Sequence, residues 1–308
     1  VTKPGYDASV LRLDNGKFLS IKIDGNPKQC YINPREGAIG CFEEACRNVV
    51  CTGAKPIGML DHLQFGNPND PEIFWTFLES LKGLTDFAKD FEIPCVGGKV
   101  SLYNETSDGP IKPTPVIGVI GLIDKKPLKI QKINSGDSLI MIGDTKDELG
   151  GSEYSEYIHK FIGGKCPAVD FSESKKNMNS VLDIIENELI KSAHDCSKGG
   201  LTIAISELCM INQIGCNVSL EKIPGEKLDS DKILFSESHS RYLVTFENKN
   251  LEKLEEVLKK HNVSYSLIGE FTGDSILFSS DSKPIIDLSV DKAQKTWFNS
   301  LKEMVLHA

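Results

Sequence analysis

Residues 193–200 read AHDCSKGG, and the apolar run LTIAISELCMI follows at once. This junction constrains the chain more than any other stretch. Two adjacent glycines leave the backbone free to turn sharply and to approach a ligand closely. A helix that starts at Gly200 would aim its free N–H groups and the positive end of its dipole at that ligand, which favours phosphate. Asp195 is a hard oxygen donor suited to Mg2+. Ser197 can contact the ligand or cap the helix, and an ordinary helix cap is the plainer use of these residues.

Three other stretches carry oxygen donors. Glu44 and Asn48 are four apart on an expected helix and share one face. The plainer reading there is a solvated face, with Glu43–Arg47 as a surface ion pair at the same spacing. Asp24, in IDGNP, and Asp61, in LDHLQFGNP, each end an expected strand as either a ligand or a turn residue. His62 beside Asp61 is a candidate base or a partly buried polar contact. VGGKVSLYNE (96–105) places Lys99 and Ser101 after a glycine pair that includes Gly98, yet it is not the GxxxxGK[ST] phosphate loop. In FSESHSRY (235–242), Glu237 and Arg241 read as a structural ion pair. Asp24, Glu44, Asn48 and Asp195 together suggest a nucleotide site with several Mg2+ ions.

Charge makes metal ions relevant. The formal net charge is −9 over 308 residues, which disfavours nucleic-acid binding and requires local countercharge around any phosphate. Nine cysteines include no CxxC, and Cys41, Cys46 and Cys51 recur every five residues, around a helix rather than on one metal. An odd number in this arrangement suggests reduced thiols and a cytoplasmic protein. The longest apolar run, PVIGVIGLI (115–123), is too short to span a bilayer, and no signal peptide is visible. The chain opens VTKPG without Met, which hints at processing or at a piece of something longer.

Hydrophobic periodicity gives the outline. Residues 8–24 alternate as two short strands around Asp14-Asn15-Gly16. A helix follows NPREG, then the strand KPIGMLDHLQFG and an amphipathic helix over 71–90. IPCVGGKVSLYNE reads as strand, glycine break and irregular chain, and TPVIGVIGLI as a buried strand. The lysine-rich segment 124–134 separates two expected domains, 1–124 and 135–308. The second has the strand DSLIMIGDT, the glycine loop ELGGSEY, helices over 177–191, 200–212 and 250–261, and the strands RYLVTF and YSLIGEF. The expected class is α+β, with mixed α/β elements in two domains.

ACRNVVCTGAKPIGMLDHLQFGNPNDPE, CVGGKVSLYNET, ELGGSEY, AHDCSKGGLTIAISEL and LFSESHSRY closely resemble the synthetase subunit of phosphoribosylformylglycinamidine synthase. HDxSxGGL is shared more widely, with aminoimidazole ribonucleotide synthetase and related ATP-using enzymes. That subunit is a tandem duplication, and the chain resembles its C-terminal half. The resemblance implies a barrel-forming N-terminal domain shared with the pseudo-twin half and a C-terminal α/β layer domain. It implies an ATP-dependent ligase of purine biosynthesis, acting on formylglycinamide ribonucleotide with ammonia from a glutaminase subunit. It implies Mg2+ at Asp24, Glu44, Asn48 and Asp195, around an auxiliary ATP or ADP that Ser197 touches. It also implies that Asp61, Gly98, Lys99 and Ser101 contribute to the catalytic ATP and substrate site across the boundary between halves. The family commonly has Asn where Lys99 stands, so Lys99 is expected to meet a phosphate directly. The family's catalytic histidines belong to the other half, so no catalytic residue is assigned and His62 and His194 stay without a role. Self-association or binding to the missing half is expected, because a lone half leaves an apolar face open. The alternatives are a free-standing synthase such as aminoimidazole ribonucleotide synthetase, and a non-catalytic nucleotide-holding scaffold. Neither nucleic acid nor membrane is expected as a partner.

Overall fold

The computed structural model describes residues 6–306. The chain begins with the strands β1 (Ser9–Arg12) and β2 (Phe18–Asp24), joined as expected through the Asp14–Gly16 turn, where Gly16 N–H bonds Leu13 O at 3.1 Å. Next come α1 (Pro27–Ile32), α2 (Pro34–Val50), β3 (Lys55–Gln64), α3 (Pro71–Asp90) and β4 (Cys95–Ser101). A two-residue ladder, β5 (Glu105–Thr106) with β6 (Gly109–Pro110), leads into β7 (Thr114–Ile123). The five long strands form one open sheet in the order β1-β2-β7-β3-β4, parallel only between β3 and β4, which α3 connects. The expected glycine break in VGGKV is absent: β4 runs unbroken through both glycines, because pairing with β3 satisfies their backbone. β3 continues three residues beyond Asp61, so that carboxylate lies within the strand rather than at its end.

After the segment 124–137 come β8 (Ser138–Ile142), α4 (Glu153–His159), α5 (Phe171–Glu186), β9 (Ser192–Asp195) and α6 (Gly200–Asn212). The remainder is β10 (Cys216–Ser219), α7 (Ser230–Phe235), β11 (Tyr242–Phe246), α8 (Leu251–His261), β12 (Tyr265–Phe271), β13 (Ser275–Ser280), β14 (Lys283–Ser289) and α9 (Val290–Leu306). These seven strands form a second sheet, ordered β14-β13-β10-β12-β8-β11-β9. The helix expected over 177–191 begins at Phe171 instead. Asp170 caps it by accepting the Glu173 N–H, a start signal that the apolar periodicity did not register.

Helix α2 organises the interior. Asn33 caps it by accepting the N–H groups of Arg35 and Glu36, Pro34 fits its first turn, and every residue from Gly37 to Val50 is buried. One face of α2 lies on β7 and β2, while α5 and β9 of the second sheet close the other side. A single apolar core therefore joins Phe42, Val49, Ile117 and Val119 to Ile140, Val181, Ile184 and Val244. A separate cluster fills the far side of the second sheet, where Leu139, Met141 and Leu243 meet Leu201, Ile205 and Phe278. Strand β8 serves both, its alternate residues pointing to opposite faces.

The first sheet covers only one of its faces. Ile23, Gly118 and Leu60 form a row on the uncovered face, where Ile23 is 66% and Leu60 42% exposed. The resemblance implied a barrel; the described residues form an open five-stranded sheet.

Close approach of α2 to β7 depends on Gly121. A Cβ there would lie 2.3 Å from Val49 Cγ1 and 2.9 Å from Ala54 Cβ. Overpacking of this kind costs about 1–3 kcal/mol. Gly121→Ala is expected to lower the unfolding free energy by that amount, read as a lower urea midpoint at unchanged slope; an unchanged midpoint would show that α2 is not seated as described.

Candidate functional site

The two sheets meet where β2 and β9 end against the middle of α2. Asp24 is the last residue of β2, Asp195 is the last of β9, and Glu44 and Asn48 come from successive turns of α2. Glu44, Asn48 and Asp195 are buried, and the Asp24 side chain is 9% exposed. Glu44 shares a hydrogen bond with Asp24. Burial, then the Asp24 charge, pushes the Glu44 carboxyl well above the usual carboxylate range; Arg47 opposes this and Asp195 adds to it. Burial likewise pushes Asp195 up to about 6, against the pull of Arg47. Asn48 donates its amide nitrogen to Glu44 O at 2.8 Å, which leaves the amide oxygen as an acceptor. Glu44 thus carries a carboxyl whose proton affinity the Asp24 and Asp195 charges both raise, and oxygen donors of this kind suit a hard divalent cation. Asp24, Glu44, Asn48 and Asp195 thus lie along the seam between the sheets, where Glu44 feels the charges of both Asp24 and Asp195.

The surroundings differ from a solvated helix face. Glu43 and Arg47 form an ion pair with both side chains fully buried, not at the surface. Glu43 Oε1 also accepts from Ser174 Oγ at 2.9 Å and Ser240 Oγ at 3.1 Å, while Arg47 Nη2 donates to Asp195 Oδ2 at 3.3 Å. His194 lies between two carboxylates, with Nδ1 3.0 Å from Asp7 and Nε2 3.2 Å from Glu207. Burial alone would lower its proton affinity, but Asp7 and Glu207 outweigh burial and hold it well above the usual histidine range. Asp7, His194 and Asp195 have the proximity of a metal triad. Both ring nitrogens are engaged by carboxylates, however, and Asp7 Oδ1 also accepts the Asp195 N–H at 2.9 Å. The imidazolium therefore works as a tether for Asp195.

The glycine turn also departs from expectation. Gly199 and Gly200 have φ of +77° and +66°, and Gly199 is the cap of α6, so Ser197 does not cap the helix with its side chain. The Gly200 N–H bonds Ser197 O at 2.9 Å, and the Gly199 N–H bonds Glu237 Oε1 at 2.9 Å. Glu237 Oε1 also accepts the Glu153 N–H at 2.8 Å, so this buried carboxylate, pushed up to about 7 by burial, sits where a phosphate was expected. Glu237 and Arg241 do not form the expected ion pair. Arg241 is spent on the Ser236 and Ser238 carbonyls and Thr145 Oγ1. Lys198 anchors the turn to the β2 end, donating to Gly25 O at 2.9 Å with Asp24 Oδ1 3.8 Å away. Asp7, Arg47, Lys198 and Glu237 were not singled out for the site from sequence. Only the invariably helical spacing of Glu43 and Arg47 pointed to one of them.

The second expected group divides between two faces. Asp24 pairs with Ile117, Ile117 with Asp61, and Asp61 with Gly98, one row across four strands. Adjacent strands lie about 4.8 Å apart, which puts Asp61 about 10 Å from Asp24 on the helix-covered face. Lys99 and Ser101 pair with His62 and Gln64 at alternate positions and so belong to the uncovered apolar face. Ser101 Oγ contacts Asn104 at 3.3 Å, and His62 Nε2 is buried without a partner.

Fold and site together define a class: a two-sheet α/β protein with a cluster of oxygen donors where its sheets meet. The chain belongs to the AIR synthase related family, matching its N-terminal domain over residues 5–123 and its C-terminal domain over 134–280. Among curated relatives it is 40% identical to the phosphoribosylformylglycinamidine synthase subunit PurL of Methanocaldococcus jannaschii, covering 99% of this chain and 42% of that one. It is 38% identical to the corresponding subunit of Thermococcus sibiricus, again over 99% of this chain and 42% of the relative. The chain thus spans less than half the length of these relatives. Its fold is similar to that of Thermotoga maritima PurL complexed with FGAR, with a TM-score of 0.82 at 20% identity, over 94% of this chain and 48% of that one. It is also similar to a chain of a HypE–HypF complex, with a TM-score of 0.64 at 17% identity, over 93% of each.

The raised proton affinities of Asp195 and Glu44 fix a pH dependence. Asp195 holds its proton more tightly folded than unfolded. Its contribution to stability is full below about 3.8 and is lost as pH rises through about 6. Glu44 acts in the same direction. Glu44→Gln is expected to raise the melting temperature of the metal-free chain at pH 8 by about 2–4 °C, the shift that 1 kcal/mol produces. The same variant should lose most of the protection that Mg2+ gives. A variant that melts lower without Mg2+ and is still protected by it would contradict the assignment.

Proposed function

We propose that the chain supplies the C-terminal half of a phosphoribosylformylglycinamidine synthase and works only with the other half. The reading rests above all on the placement of Asp24, Glu44 and Asp195 at the seam of the two sheets, where the charges of the two aspartates act on Glu44. Residues 1–124 and 135–308 are its two domains; their outer bounds at 1–5 and 307–308 lie outside the described residues. Mg2+ held by Asp24, Glu44, Asn48 and Asp195 would neutralise the phosphates of ATP or ADP in an otherwise acidic protein. Lys198 supplies a further cation at this site, and Ser197 a hydroxyl. Glu237 already engages Gly199, so the phosphates belong on the carboxylate side of the turn.

The reaction joins formylglycinamide ribonucleotide, ATP and ammonia into formylglycinamidine ribonucleotide, ADP and phosphate. The γ-phosphoryl group of ATP moves to the amide oxygen; ammonia then attacks that carbon and phosphate leaves. The protein positions the partners and neutralises charge. Ammonia comes from a glutaminase partner. Support for the substrate and the partner is the naming of solved relatives, one a PurL complexed with FGAR and another a PurLQS structure. Asp61 and Gly98 would reach the catalytic centre from the sheet edge. Lys99 and Ser101 would do so from the uncovered face, where the other half or a second copy would close the apolar row of Ile23 and Leu60. Among the described residues no helix is long and apolar enough to cross a membrane.

The direct test combines the chain with the N-terminal half of such a subunit, formylglycinamide ribonucleotide, ATP, Mg2+ and ammonium. Product is expected from the mixture and from neither part alone. Turnover by this chain alone would instead favour a free-standing synthase. The tethered state of His194 favours one further reading, in which the cluster holds its nucleotide as a fixed part of the scaffold. In that case Asp195→Asn lowers nucleotide retention in the reconstituted enzyme while leaving turnover within about threefold.

A further inference from the structure

Arg47 stands between two of the proposed cation ligands, Glu44 and Asn48, on a helix face that is buried throughout. Its guanidinium has no exposed surface. Nη1 pairs with Glu43 and lies 3.5 Å from His239 Nδ1, Nη2 donates to Asp195 Oδ2 at 3.3 Å, and Nε has no partner. Glu43 in turn is fixed by Ser174 and Ser240, so the fork cannot swing without breaking buried hydrogen bonds on α5 and before β11. The opposite side of Asp195 is fixed through its N–H to Asp7.

A buried cation beside a cation site is an electrostatic handicap. Coulomb repulsion alone should make a divalent ion bind more tightly once Arg47 is removed. An arginine in that position therefore needs a geometric reason. Asp195 comes from the second sheet, whereas Asp24, Glu44 and Asn48 come from the first sheet and its helix. Among the described residues, Arg47 is the side chain of α2 that forms an ion pair with Asp195.

We propose that Arg47 is the positioning residue of this site: its guanidinium, fixed by Glu43, holds Asp195 by one carboxylate oxygen and so presets the ligand set across the two sheets before a cation arrives. The planar fork spans Glu43 and Asp195 at once, which a lysine cannot do. This rests on the cation site proposed above, and the test separates the two ideas.

Mn2+ is titrated into the full chain, with free Mn2+ read by electron paramagnetic resonance and melting followed in parallel. The variants are Arg47→Lys, which keeps the charge and loses the fork, and Glu43→Gln with Arg47→Met, which keeps the net charge and removes the buried pair. Wild type is expected to bind Mn2+. Each folded variant is expected to bind at least tenfold more weakly, and the double variant should retain a near-wild-type melting temperature. Neither variant changes the net charge, so weaker binding without a loss of stability is not a charge effect and supports positioning. Equal or tighter binding by either folded variant would overturn the proposal and leave the site standing. Absence of Mn2+ binding by wild type would remove the site itself and the proposal with it.

Discussion

Arg47 and its two carboxylates, Glu43 and Asp195, form a charged chain with almost no access to water. Charges so placed are costly unless each is paired, and breaking one such pair typically costs about 3–5 kcal/mol. The pairing therefore fixes more than itself. It sets the rotation of α2 about its axis, which sends Glu44 toward Asp24 and carries Asn48 one turn further along the same face. It also ties β9 to α2, so the two sheets share one core rather than meeting at a sliding surface.

A physical division of labour follows. Apolar contacts of α2 with β7 and α5 stabilise the fold, while polar groups along the same helix determine its orientation. At the end of that construction the buried Glu44 feels the charges of both Asp24 and Asp195. A divalent cation at the proposed site would offset those charges, which would link binding to stability. Glu237 shows the complementary solution. One buried carboxylate accepts N–H groups from the starts of two helices, and it thereby supplies from within the chain the anion that those groups would otherwise seek.

How much of this could be read in the sequence varied with how local the determinants were. Helix α3 was legible over Pro71–Asp90 because its apolar stripe repeats at helical spacing, and β7 because an apolar run of strand length is bounded by turn signals. Helix α5 was displaced because its start depends on the Asp170 cap, which lies ahead of the apolar pattern. Strand β4 was cut short because its glycines suggested a break, whereas the neighbouring β3 backbone holds them in the sheet. Asp24, Glu44, Asn48 and Asp195 were picked out as oxygen donors at element ends and on one helix face and matched by the resemblance, and the fold sets them along the seam between the sheets. The burial of Glu43 and Arg47 was not legible, since an i,i+4 pair looks the same on a surface and in a core. Asp7 and Glu237 reach their partners across 188 and 38 residues, distances over which spacing carries no information.

The central claim is that carboxylates from two sheets form one cation site. The most direct measurement is the anomalous scattering of Mn2+ in crystals of the full chain soaked with that ion and ADP. The account expects a strong anomalous peak in direct coordination with Asp24, Glu44 and Asp195 together. A fully occupied ion held elsewhere, with those three side chains unligated, would contradict it.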